Sequence, residues 1–411
     1  MIELNHFTLS NDLRVVHNHD SATAMVALNI LYNVGARDEN ENLTGLAHLF
    51  EHLMFGGSIN IPDFDQAMEQ AGGWNNAWTS NDFTNFYDVL PAQNAETAFW
   101  LESDRMLSLA FSDKALEVQR SVVIEEFKEV CLNKPYGDMA HHLRDLVYTS
   151  HPYRFPTIGK EISHIEKVTQ DDVIKFFYSH YAPNNAVLAI SGNISLEETK
   201  RLAEKWFGDI PQREITPRTY TPEPTQTAPR RKIVTADVPQ AVLIKAYHMP
   251  GHGHKDYIPC DIITDLLASG RSARFYRNLL MGTDLFTEID ASITGSDEPG
   301  YLMLSARLRE NSDSAIQQAE ETIENEIQKL WNNTITEYEL TRTINRFESN
   351  NTFSTIGFLP KAQAMAMGEM QGEDINQITS KYRAVTIEQI QQVAEQVLSP
   401  NNCSTLVYNR R

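Results

Sequence analysis

In the stretch GLAHLFEHLMFGG, residues 45 to 57, His48, Glu51 and His52 fall at positions i, i+3 and i+4. On an α-helix these positions share one face. Two imidazoles one turn apart can address a single metal ion, at about 2.0–2.1 Å for zinc. Glu51, on the same face, can serve as general base for a water that the metal activates, without itself being a ligand. Leu46, Leu49, Phe50, Leu53 and Met54 supply the apolar surface that would anchor such a helix. The bland alternative is a histidine pair on a partly exposed helix, and it loses force once a third ligand is found.

Zinc held by two histidines needs one more protein donor, with a further position left open for chemistry. The stretch LEVQRSVVIEEFKEV, residues 116 to 130, has helical periodicity and carries Glu125, Glu126 and Glu129. On a helical wheel Glu126 lies on the side of Gln119, Val122 and Val123, which faces the core; Glu125 points toward solvent. Periodicity ranks Glu126 first and leaves Glu129, one turn on, as a rival.

These helices must be positioned by a larger scaffold, and the chain repeats one. VTQDDVIKFFYSHYAPNNAVLAI from Val168 and VTIEQIQQVAEQVLSPNNCSTLVY from Val385 both run from a threonine helix cap to Pro-Asn-Asn and into an apolar strand. MVALNILYNVGA (25 to 36) and QAVLIKAYHMPG (240 to 251) both alternate as strands and lead into a helix, with Gly57 and Gly270 in matching places. The predicted fold is α+β: two homologous, duplicated domains, each a mainly antiparallel β-sheet with helices packed on it. Prolines at 211, 217, 222, 224 and 229 forbid a continuous helix between them. The domains are therefore set at 1–210, which carries the metal motif, and 232–411, with residues 211–231 as an extended linker. In the second half Asp261, Thr264 and Asp265 stand where the first has His48, Glu51 and His52, so the scaffold itself does not need the imidazoles.

The remaining composition mainly excludes. A formal charge of −20 over 411 residues speaks against nucleic acid. No run approaches the 18 or so apolar residues of a membrane span, and the first residues do not read as a secretory signal. Cys131, Cys260 and Cys403 are isolated, which argues against a disulfide scaffold and agrees with a reducing compartment; the expectation is a cytoplasmic protein with buried thiols. His141 and His142 have no partnered glutamate at metal spacing, while His17, His19, His252 and His254 read as surface groups. Neither Gly-Gly pair (56–57, 72–73) belongs to a phosphate-binding loop.

The HxxEH motif, a glutamate some 75 residues beyond it and the duplicated chain resemble the pitrilysin or insulinase-type zinc metallopeptidases, and more narrowly the short bacterial members akin to the mitochondrial processing peptidase. GGWNNAWTSNDFTNFYDVLP, QRSVVIEE, HPYRFPTIG and YAPNNAVLAISGN carry the likeness along nearly the whole chain. The resemblance implies a LuxS/metallopeptidase-like fold, one Zn2+ per chain and hydrolysis of short or unfolded extended peptides. The family phrase ERxVVxxE ends on the zinc-ligating glutamate and lands here on Glu126; its first glutamate becomes Gln119, which removes a carboxylate that would support the ligands from behind. The resemblance makes Glu51 the catalytic base. It also makes the strand around Asn76 and Ala77, with Trp78 and Thr79 next, an edge to which substrate adds by β-augmentation. Where relatives that act alone carry an arginine and a tyrosine that clamp substrate, this chain has Leu280 and Thr287, and Arg274, Tyr276 and Arg277 lie before the matched positions. A homologous partner subunit that supplies the pair, in a heterodimer, accounts for the joint loss; a homodimer is the other arrangement. A peptide-binding or scaffold subunit without turnover is the competing reading.

Overall fold

The computed structural model describes residues 1–332 and 334–411. Strands β1 (Asn5–Thr8), β2 (Arg14–His19), β3 (Met25–Tyr32), β4 (Trp74–Thr79), β5 (Thr84–Pro91) and β6 (Ala186–Gly192) form one sheet in the order β1-β2-β6-β3-β5-β4. Strands β7 (Arg230–Ala236), β8 (Val242–Met249), β9 (Phe286–Ile293), β10 (Gly300–Leu308) and β11 (Cys403–Arg410) form a second in the order β7-β11-β8-β10-β9. Without β1, the two orders correspond strand for strand. Both sheets are antiparallel except for one parallel pair each, β2 with β6 and β7 with β11. The fold is thus a duplicated α+β architecture with mixed sheets.

The repeated helix-to-strand phrases have the same local construction. Thr169 caps the helix Gln170–His180 and Thr386 caps Ile387–Val397, each by a reciprocal capping box. Each helix leads through Pro-Asn-Asn into the strand, β6 or β11, that returns parallel to β2 or β7 respectively. Gly57 and Gly270 have φ of 98° and 87°, in the left-handed region that glycine tolerates at no steric cost.

The chain divides into two compact units, neither of them a continuous run. One comprises Met1–Lys128, Phe155–Tyr220 and Asn351–Gln377; the other comprises Glu129–Arg154, Thr221–Asn350 and Ile378–Arg411. In the first unit, the helix Phe358–Gln371 covers a face of the sheet. Its Met365 and Ala366 are buried with Val16, Leu31, Val187 and Ala189, and Lys361 Nζ lies 3.0 Å from the Asp20 carboxylate. In the second unit the helix Met139–Val147 does the same, with Leu143 and Val147 against Val242, Ile244, Leu406 and Tyr408. An apolar sheet face must be covered, and here the cover comes from a distant part of the chain.

The stretch from Pro211 to Pro229 carries no helix or strand, and one of the passages between units falls within it, at Tyr220 and Thr221. It is nonetheless pinned down. Arg218 bonds Asp38 at 2.7 Å in the first unit, and Glu223 accepts backbone N–H groups of Thr149, Ser150 and His151 in the second. His17 departs from the surface role expected of it. It is 1% exposed on β2, with Nε2 2.9 Å from the Ile194 carbonyl, because its strand lies inside the sheet and is buried along most of its length.

Candidate metal centre

The motif lies on the helix Leu46–Met54. Leu46, Ala47, Leu49, Phe50, Leu53 and Met54 are buried, and Phe50 packs against the rings of Phe176, Phe177 and Tyr181. That apolar stripe leaves His48, Glu51 and His52 half-buried on the other side. The N-cap, Gly45, has no side chain to satisfy the first amides. The Glu39 carboxyl does so instead, accepting from Gly45 N–H at 2.8 Å and Ala47 N–H at 2.7 Å.

His48 Nε2 and His52 Nε2 are 3.3 Å apart, and Glu126 Oε2 lies 3.7 Å from the first and 3.4 Å from the second. Two ligand atoms at about 2.0–2.1 Å from one ion in tetrahedral geometry stand about 3.3–3.4 Å apart. The three donors therefore have the spacing of a tetrahedral N2O set with one position open. Among the described residues no other group of three or more His, Cys, Asp or Glu side chains has such a clustering.

Glu126 sits on the helix Asp113–Phe127, which Ser112 caps and which buries Leu116, Val123 and Phe127. The rival carboxylates point elsewhere: Glu125 pairs with Lys128 at 2.7 Å and Glu129 with Lys134 at 3.2 Å, both with largely exposed side chains. The expected core-facing side is corrected in one respect. Val123 is buried but Val122 is 44% exposed, so Glu126 stands at the margin of the buried stripe, open toward the histidines. Gln119 lies half-buried two turns earlier on this helix. His48 Nδ1 is buried without a hydrogen-bond partner, whereas a ligating histidine ordinarily donates its second N–H to an outer group.

Burial holds the His48 imidazole below its ordinary value, against the pull of Glu126, and so favours the neutral form that binds metal. Burial also pushes the Glu51 carboxyl up to about 6; a hydrogen bond from Thr79 opposes the rise and Glu126 adds to it.

β4 is an edge strand. Its side chains alternate between two environments. Asn75 bonds Asp65 of the helix Phe64–Gln70 at 3.1 Å, while Trp78 packs with Met365 and Ala366 on the opposite face. Ala77 N–H is taken by the Asn76 side-chain oxygen at 2.8 Å, so it is not engaged with β5. Thr79, on the Asn75 side, donates its hydroxyl to Glu51 Oε2. The sequence places Thr79 in the substrate-binding edge strand and gives it no link to Glu51. Its alternation with Asn75 and Ala77 was the available signal, and it needed the position of the histidine helix to be interpreted.

In the second unit Leu280 packs on the core, and Thr287 is exposed on β9 with only long 3.4 Å contacts to Gln240 and the Arg307 carbonyl. Arg274 is nearly buried and paired with Glu339 at 3.0 Å. Asp261, the counterpart of His48, accepts the Tyr382 hydroxyl. All three cysteines are free and buried.

Residues 14–161 match the model of the insulinase family (peptidase family M16), and residues 167–347 match that of the peptidase M16 inactive domain. The zinc protease PqqE of Helicobacter pylori is 30% identical over 272 residues, 65% of this chain and 61% of that protein. The β subunit of the mitochondrial-processing peptidase of Caenorhabditis elegans is 30% identical over 224 residues, 52% of this chain and 48% of that one. The matched stretches thus span less than two thirds of either relative. A crystal structure of a Helicobacter pylori protease shares the fold over 100% of both chains, with a TM-score of 0.93 at 24% identity.

The expectation of a cytoplasmic protein is corrected by the periplasmic protease PqqL of Escherichia coli. Its structure covers 100% of this chain and 48% of its own, with a TM-score of 0.82 at 16% identity. This fold operates in an oxidising periplasm. Three thiols kept apart and buried need no reducing compartment, because oxidation requires access; their isolation is therefore no guide to location. Among the described residues no helix is long and apolar enough to cross a membrane.

Proposed function

Because the chain belongs to the insulinase, or M16, family of metallopeptidases, we propose that it is a zinc-dependent endopeptidase acting on short or unfolded, extended peptides. The observation that carries this reading is the His48, His52 and Glu126 donor set at tetrahedral spacing, with the Glu51 carboxyl one helical turn from His48 and next to His52. Two neutral imidazoles and one carboxylate suit zinc in a catalytic site. When bound there, zinc supplies a Lewis acid that polarises a carbonyl and lowers the pKa of water.

The chain's own residues supply the rest. His48, His52 and Glu126 would hold the ion, and Gln119, where the family phrase has a glutamate, offers no carboxylate to support them. Glu51 takes a proton from the attacking water and returns it to the leaving amine. The free edge of β4 at Asn76, Ala77, Trp78 and Thr79 receives the peptide as an added strand; the Ala77 N–H, held by the Asn76 side chain, becomes a donor to the substrate backbone. Backbone pairing of this kind asks for an extended chain and little sequence. Leu280 and Thr287 offer no clamp for substrate, which supports a homologous partner that brings an arginine and a tyrosine. The same two residues favour the second reading, a peptide-binding subunit without turnover.

The test is zinc content and cleavage of a mixed peptide library by this chain alone and with a co-purifying homologue, with Glu51→Gln as control. The expected result is one zinc per chain in both forms. Cleavage should fall at least about 100-fold in the variant, the lower range of what a general base contributes. Zinc without cleavage in either preparation moves the assignment to the binding subunit.

A further inference from the structure

The contact between β4 and the histidine helix gives the general base a support of its own. Glu51 Oε2 accepts the Thr79 hydroxyl, and no other hydrogen bond reaches this carboxyl among the described residues. A glutamate side chain has three rotatable bonds and loses rotamer freedom when fixed. Thr79 is in the opposite position. It is β-branched, so its first side-chain torsion is restricted, and its backbone is held on both sides. It pairs with Thr84 across β5, and the buried Thr84 hydroxyl bonds the Val34 carbonyl at 3.0 Å. The turn that follows is closed by Ser80 N–H to the Phe83 carbonyl at 2.8 Å, while the Ser80 carbonyl accepts Ala36 N–H at 3.1 Å.

We propose that Thr79 is a positioning residue for Glu51: its hydroxyl clamps one carboxylate oxygen to the rigid end of β4 and leaves the other, Oε1, to take and return the proton. This inference rests on the endopeptidase reading above. Proton balance is kept throughout. The proton from water goes to Oε1 and leaves with the amine, while Thr79 keeps its own proton and donates to Oε2 in both states. One strand then carries both the edge that receives substrate and the anchor of the base, so the base and the peptide share a frame. A shift of about 1 Å in a reacting group costs on the order of 100-fold in rate.

The experiment compares wild type, Thr79→Val, Thr79→Ser, Thr79→Ala and Glu51→Gln as full chains. It measures zinc per chain, Tm, kcat and KM on a peptide cleaved by the wild type, and the Glu51 side chain in crystals of each zinc-loaded protein. Thr79→Val keeps the shape and removes the donor; Thr79→Ala serves in its place should valine prevent folding. Positioning predicts full zinc, KM within about twofold and kcat lowered about 10- to 100-fold in Thr79→Val, recovery to within about threefold in Thr79→Ser, and Glu51 spread over several rotamers when the hydroxyl is absent. Unchanged kcat, or a raised KM at constant kcat, overturns the inference; the latter marks Thr79 as a substrate contact. If the zinc-loaded wild type cuts nothing, the endopeptidase reading fails, and the crystals decide the positioning claim by themselves: Glu51 equally ordered in Thr79→Val sinks it.

Discussion

At the residue scale, the feature that separates Glu126 from its neighbours is a matter of a few ångströms across two helices. His48, Glu51 and His52 were legible in the sequence because their spacing is helical and local. The third candidate donor was not fully legible, because helical periodicity tells which side of a helix is apolar and not which residue at the margin of that side meets another helix. Val122 shows the limit: it was placed toward the core and is 44% exposed. Geometry instead separates the carboxylates by partner, with Glu125 and Glu129 engaged by lysines and Glu126 by the imidazoles. Glu126→Gln should therefore lose zinc on dialysis against a chelator that leaves the wild type loaded. Its affinity should fall by more than the about 10- to 100-fold typical of losing an outer partner. Glu125→Gln and Glu129→Gln should each retain one zinc per chain. Loss of zinc from Glu129→Gln alone would contradict the assignment of the donor set.

At the element scale, the position of the histidine helix depends on a cap that lies outside it. The capping boxes at Thr169 and Thr386 were readable, since cap and partner are three residues apart. Gly45 gave no such signal, and the acceptor that replaces a cap side chain, Glu39, is six residues upstream. Only the folded loop brings the two together. Removing an N-cap acceptor typically costs about 0.5–2 kcal/mol, and at a unit of this size each kcal/mol corresponds to about 2–4 °C in Tm. Glu39→Ala should accordingly lower Tm by a few degrees. It should also weaken zinc binding measured by chelator competition, because His48 lies in the first turn that the carboxyl secures. An unchanged zinc affinity alongside a lowered Tm would show that the cap supports the helix without placing the ligand. The helices covering the two sheets were illegible for a related reason. Phe358–Gln371 and Met139–Val147 are amphipathic to sheet strands far away in sequence, and nothing local records the destination of an apolar face.

At the scale of the whole molecule, duplication was legible because it repeats phrases. The division of the chain into units was less so, since each unit borrows a segment from beyond its own half. The proline-rich passage shows how composition and structure diverge. Its prolines do keep it free of helix and strand, yet it is fastened along its course, first by Arg213 and Arg218 and then by Glu223 and Gln226. Glu223 is the most informative of these. Burial pushes its carboxyl up, but bonds from the Ser150, Thr149 and His151 amides and the Thr149 hydroxyl outweigh that and hold it below its ordinary value. A carboxyl depressed in the folded state stabilises fully above its unfolded pKa of about 4.3, and the contribution is lost as pH falls through the lower folded value. Glu223→Gln should cost about 1.5–3 kcal/mol at pH 7, the range for hydrogen bonds to a charged group. Its Tm deficit against the wild type should stay constant from pH 7 to about 5.5 and close progressively below about 4. Other carboxyls titrate alike in both proteins, so the difference isolates this one. A deficit that persists unchanged to the acid limit would mean that Glu223 fastens the passage by shape and neutral hydrogen bonds and not by charge.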